Sequence, residues 1–110
     1  MATSQFISYV SKDVPNTGAT LVTTAGGTQT SIIGLSCTNT SVANTITADV
    51  YITRSGTNYY IVKGATVPVG GALVVVGGDQ KLVLNAADAL KANCSINTSM
   101  DVIASALVIS

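Results

Sequence analysis

Serine and threonine are abundant in this chain, but no His is present to act as their base, and the Gly-x-Ser-x-Gly pattern of a strained nucleophile turn is absent. A Ser-Lys dyad would need a lysine held out of water, whereas the lysines here are scattered, mostly near turns. Metal chemistry has little to work with. Cys37 and Cys94 stand alone, the five Asp are dispersed without an Asp-x-Asp-x-Asp-Gly loop, and Glu is absent. Ala25-Gly26-Gly27-Thr28 is a loop and not a phosphate cradle, because no Lys-Ser/Thr pair or helix follows it. No catalytic, cofactor-binding or metal residue is therefore assigned, and the expectation is a protein that is not an enzyme and uses no cofactor.

The residues best suited to contact another molecule are Tyr51, Tyr59 and Tyr60. Tyr51 shares the polar face of its segment with Asp49, and Tyr59 or Tyr60 falls opposite it across a short turn. Exposed aromatics of this kind stack on sugars or form subunit contacts. The absence of Trp and the frequency of paired Tyr at interfaces favour contact.

Charge narrows the partners. Five Lys/Arg balance five Asp, and charged residues make up only 9% of the 110, against 47% hydrophobic. A neutral chain lacks the counterion-release drive of nucleic-acid binding, so no nucleic-acid partner is expected. It also lacks the self-repulsion that keeps small domains apart, which points to a homo-oligomer or a subunit of a larger assembly. The longest apolar stretch, Ala72 to Val76, is far short of a bilayer span, so no membrane partner is expected. Met1 to Gln5 carries no basic start, so folding in the cytoplasm is expected, and there Cys37 and Cys94, which could form one disulfide, are expected to stay buried thiols. On that reading the Asn-x-Ser/Thr triplets at Asn39, Asn93 and Asn97 are products of composition.

The elements that must position these residues are strands. Val, Ile and Thr recur in short runs punctuated by Gly, Asn, Asp and Pro at about the 8–12-residue spacing of sandwiches. Ile46 to Arg54 is the clearest, with Ile46, Ala48, Val50 and Ile52 on one face. Ser55-Gly56-Thr57 turns it into a partner over Asn58 to Lys63. Gln29 to Asn39 precedes it, with Ile33, Leu35 and Cys37 inward, and the three are expected to form a meander through the polar loop Asn39 to Asn44. Pro68-Val69-Gly70-Gly71 is expected as a turn with Pro at i+1. Leu73 to Val76, Lys81 to Leu84, and Ala89 to Ile96 (Leu90, Ala92, Cys94 and Ile96 on one face) follow. Gly77-Gly78-Asp79-Gln80 and Asn85-Ala86-Ala87-Asp88 are the hairpin turns between them. Asp101 to Ile109 is apolar on both faces, so both are expected to be covered, and it suits a central position or an edge covered by another subunit. Gln5 to Lys12 and Thr20 to Thr24 are the N-terminal strands. The expected fold is all-β: one antiparallel β-sandwich domain over 1–110, jelly-roll-like, of about eight strands.

From Ile46 onward the chain resembles a known family. The segments Asp49-Val50-Tyr51-Ile52-Thr53-Arg54 through Lys63, Val67 to Val75, and Gly77 to Leu84 are similar to small β-sandwich virion structural proteins of tailed bacteriophages of cyanobacterial and marine hosts. Leu84-Asn85-Ala86-Ala87-Asp88-Ala89-Leu90 matches that family's Leu-x-Ala-Gly-Asp-x-Leu with Ala87 in place of Gly, and Asp101-Val102-Ile103-Ala104-Ser105 matches its closing strand. Ala87 implies either that the turn avoids a positive φ or that it tolerates one at a cost. The resemblance implies a virion component folded in host cytoplasm, most simply an accessory protein of head or neck (capsid decoration, cement or collar). Its partners would be copies of itself and other virion proteins. The alternative from another class is a carbohydrate-binding or adhesin module using Tyr51, Tyr59 and Tyr60.

Overall fold

The computed structural model describes residues 4–77 and 81–109, and no helix occurs among them. The β-branched runs form nine strands: β1 (Ser4–Ser11), β2 (Ala19–Thr23), β3 (Gln29–Asn39), β4 (Ile46–Arg54), β5 (Thr57–Val67), β6 (Ala72–Val76), β7 (Leu82–Leu84), β8 (Ala89–Cys94) and β9 (Met100–Ile109). They make two antiparallel sheets. One runs β1-β9-β3-β6 with β7 also on β3, and the other runs β2-β8-β4-β5.

The pairings nest. β1 joins β9, β2 joins β8, β3 joins β6 and β7, and β4 joins β5. A long hairpin rolled so that its arms spread over two sheets gives this order, and it is a jelly roll. The ninth strand arises because β6 and β7 occupy one position. β6 lies along Leu35–Thr38 and β7 along Thr30–Ile32 of the same neighbour, running in the same direction.

Several local expectations are corrected by this topology. The three-strand meander does not form: β3 and β4 belong to different sheets, and only the β4–β5 hairpin is local. Asn39 holds the crossover between them. Its buried Nδ2 donates to the carbonyls of Asn44 at 2.9 Å and Val67 at 3.0 Å, while its Oδ1 accepts from Ser41 N–H at 2.8 Å. Nor is Asn85–Asp88 a hairpin turn, since it carries the chain from β7 in one sheet to β8 in the other. The turn at Gly77–Gln80 falls on residues 78–80, outside the described residues, but β6 and β7 run the same way along β3 and are not a hairpin.

Register shifts account for two more differences. A bulge between Ile32 and Gly34 puts Ile32 in the core in place of Ile33. β8 ends at Cys94, so Ile96 sits in the following turn, partly exposed. In the Pro68 turn, Gly71 N–H donates to Pro68 C=O at 2.9 Å, which places Pro68 at i and Gly70, with φ +75°, at i+2.

The interior is made of small and branched side chains from both sheets. Ile32, Leu35, Leu84, Val102, Ala104 and Ala106 face Ile46, Ala48, Val50, Leu90 and Ala92. Val14, in the β1–β2 connection, closes one end: its N–H donates to Met100 C=O at 2.7 Å. β9 is central, as its composition suggests, but only its Met100, Val102, Ala104 and Ala106 face is covered.

Candidate assembly surface

The two sheets differ sharply on their outer faces. The β2-β8-β4-β5 sheet carries Lys91, Asp49 and Lys63 on its outer side, with Arg54 at the end of β4 turned to Asp88. The strands of the other sheet carry a single charge, Asp101 at the start of β9. What it exposes is apolar: Phe6 at 75%, Val10 at 75%, Val74 at 68%, Ile103 at 53% and Val83 at 53%.

Strand register sorts these side chains into rows. Val10, Ile103, Ser36 and Val74 form one row across β1, β9, β3 and β6. Phe6, Leu107, Ser31 and Val83 form another across β1, β9, β3 and β7. Between them runs a row of small residues, Ser8, Ser105 and Gly34. Two apolar ridges thus flank a trough. Part of the trough is a shallow hollow of about 200 Å³ lined by Phe6, Ile7, Ser8, Ile33, Ser105 and Ala106. Exposed apolar side chains grouped in this way are a feature of interaction surfaces.

The three tyrosines singled out from the sequence lie on the other sheet, and the hairpin separates them. Tyr51 pairs with Tyr60 on the outer face, their ring centroids 5.1 Å apart and tilted by 42°. Tyr59 pairs with Ile52 and so lies on the opposite face, at the Arg54 end. Lys63 Nζ sits 4.8 Å from the centre of the Tyr60 ring and occupies a face that a sugar would need. Beside them Gly64, at a bulge in β5, donates its N–H to Asp49 Oδ1 at 2.6 Å. Partial burial, with Tyr60 and Asp49 nearby, pushes the Tyr51 phenol above its ordinary pKa. The cluster is mutually satisfied chemistry: ring on ring, cation on ring, carboxylate on backbone.

Cys37 and Cys94 are buried free thiols contributed by opposite sheets. Among the described residues no three of His, Cys, Asp and Glu converge on a point where a metal could sit. Among the described residues the Asp88 carboxylate is the most enclosed charge, and Arg54 meets it.

The fold is similar to parts of two chains from solved virus particles. The fold is similar to a chain of the infectious bursal disease virus T13 particle, with a TM-score of 0.57 and 11% identity over 96% of this chain. It is similar as well to a chain of the VP2 subviral particle of that virus, with a TM-score of 0.50 and 11% identity over 98% of this chain. This chain spans only 30% and 32% of the lengths of those two. At such identity the likeness is one of fold. No family model matches the sequence, and no curated protein matches it.

The apolar face was missed at the sequence level, although a signal for it existed. β9 alternates Ile103, Ser105 and Leu107 on one side with Val102, Ala104 and Ala106 on the other, so one of its apolar sides had to lie outside the core.

Proposed function

We propose that this protein is a non-enzymatic structural subunit of a virus particle, assembling through the outer face of the β1-β9-β3-β6 sheet. The observation that carries this is the uncharged double ridge in which Phe6 and Val83 on one side, and Val10, Ile103 and Val74 on the other, stand open to solvent in the single chain, with Leu107 half-buried between Phe6 and Ser31. Full burial of a large apolar side chain is worth roughly 1.5–3 kcal/mol, and each of these, half to three-quarters exposed, forgoes the corresponding part of it until a partner covers it. The jelly-roll order is a supporting observation, because capsid domains are frequent users of this fold. Fold alone does not assign a role, and lectins use the same one. Combined with the sequence resemblance, the finer reading is an accessory protein of a tailed-phage head or neck, in contact with its own copies and with other virion proteins.

Peptide mass spectrometry on density-banded particles tests this. Multiple copies per particle are expected, and a low-resolution map then separates head, neck and tail. Absence of the chain from purified particles contradicts the reading. The carbohydrate-binding alternative rests on Tyr51 and Tyr60, and Lys63 over the second ring weakens it. Glycan binding lost in Tyr51→Ala with oligomer state unchanged would promote it.

A further inference from the structure

A jelly roll has four edge strands, and three of them here are guarded against pairing. β2 is short, at five residues, and bulged between Thr20 and Val22. β5 is broken by two register shifts against β4 and carries Lys63 and Gly64. The fourth-position strand is split into β6 and β7. These are the ordinary devices that blunt an edge. β1 has none of them. It is eight residues long, unbroken in register against β9 from Ser4 to Ser11, and free of charge, Pro and Gly. Among the described residues β9 is its only sheet neighbour, and no backbone hydrogen bond reaches its other side.

The sequence of this open edge complements itself. Laid antiparallel on a second copy about a two-fold axis through Ser8, β1 sets Phe6 opposite Val10 and Ile7 opposite Tyr9. Each is an aromatic against a branched aliphatic, a favourable cross-strand pair, and each occurs twice by symmetry. Ser8 meets Ser8, Gln5 meets Ser11, and no like charges face one another. Moving the axis by one residue to Ile7 sets Phe6 against Ser8 and Val10 against Ser4, which loses both large pairs. The outer face agrees with the same axis. Its two ridges lie on either side of the Ser8–Ser105–Gly34 trough, so the Val10 ridge of one copy runs on into the Phe6 ridge of the next.

We infer that two copies of this chain join edge to edge through β1, centred on Ser8, extending the β1-β9-β3-β6 sheet across a two-fold axis. The backbone supplies about one hydrogen bond per residue pair along the shared edge. The inference rests on the assembly reading above and names its first contact.

Cysteine cross-linking tests it in the full chain, whose own Cys37 and Cys94 are buried. Opposed residues in an antiparallel pair have Cα atoms about 4.5–5.5 Å apart, within disulfide range. Under mild oxidation Ser8→Cys is expected to run mostly as a covalent dimer on a non-reducing gel. Phe6→Cys and Val10→Cys should stay monomeric alone and cross-link when mixed. Ser105→Cys, on the exposed face one strand inward, should not cross-link. A Ser8→Cys chain that stays uncross-linked while sedimentation still shows association overturns the β1 contact and leaves the assembly reading standing. Cross-linking of Ser105→Cys in preference to Ser8→Cys overturns it in favour of face-to-face packing. A protein that sediments as a monomer removes both. Circular dichroism of each variant confirms that these exposed positions leave the fold intact.

Discussion

Arg54 and Asp88 form a two-pronged ion pair that ties β4 to the turn carrying the chain from one sheet to the other. Nε donates to Oδ1 at 2.8 Å and Nη2 to Oδ2 at 2.6 Å. Oδ2 also accepts from Asn85 N–H at 2.8 Å, and the Asp88 backbone carbonyl accepts from Thr24 N–H at 2.9 Å. One buried residue thus anchors the β7–β8 turn, the end of β2 and the end of β4 together. Paired, bidentate geometry is what makes burying a carboxylate tolerable.

The pair gives the fold an acid limit. Arg54, and the Asn85 N–H behind it, hold the Asp88 carboxyl below its ordinary pKa against the opposing effect of burial. A lowered folded-state pKa means the unfolded chain binds the proton more readily. The stability Asp88 contributes is therefore complete above the unfolded carboxylate value of about 3.9 and is lost as pH falls below it, through the folded value. Thermal melts from pH 7 to pH 2 should show the wild type losing stability at the acid end more steeply than Asp88→Asn. At pH 7 that variant should be less stable by roughly 1–3 kcal/mol.

Ala87 occupies a conformation that suits glycine, with φ +72° in a turn closed by Asp88 N–H on Asn85 C=O at 3.0 Å. The turn therefore tolerates the strain of its alanine. Ala87→Gly should raise stability by about 0.5–1 kcal/mol, or a few degrees in Tm. Gly70 holds the equivalent position of the Pro68 turn at φ +75°, with open space around it. Gly70→Ala should lower stability by a similar amount, and for backbone reasons alone. Paired melting curves check the two signs.

The thiols should be silent in the native protein. Burial, with Cys94 nearby, pushes the Cys37 pKa up to about 11, so its thiolate is scarce at neutral pH. A disulfide-exchange reagent at pH 8 is expected to find neither Cys37 nor Cys94 until guanidinium is added, and both afterwards. Rapid labelling of the folded chain would contradict their placement between the sheets.

Much of the fold was legible because its signals are local. Ile46 to Arg54 alternates cleanly, and the Ser55-Gly56 turn, with both residues at positive φ, fixes the hairpin that follows. The even apolarity of the last strand fitted a central position or a covered edge, and β9 holds the central one with one face covered. The crossovers were not legible in that way. Asn39 looks like any loop residue until its amide is seen bridging Asn44 and Val67, twenty-eight residues from it. Ile33 alternates correctly with Leu35 in the sequence, and only the bulge at Ile32–Gly34 reverses it. The choice between Tyr59 and Tyr60 as the neighbour of Tyr51 was open in the sequence, and the register decides it for Tyr60, with strand periodicity sending Tyr59 to the opposite face. The ridges escaped notice because each strand supplies only one or two residues to a row. A row that crosses four strands becomes visible only once their order is known.

Sedimentation velocity of the purified chain across a range of concentrations bears most directly on the claim that the β1-β9-β3-β6 face exists to be covered. The account expects a mass above the 11.1 kDa of one chain that rises with concentration. Ile103→Lys, which places a charge mid-ridge at an exposed site on β9 and leaves the β1 edge intact, should reduce association to no more than the β1-joined pair, with little change in Tm. A wild-type protein that stays at one chain's mass at every concentration, with its apolar ridges open to water, would contradict it.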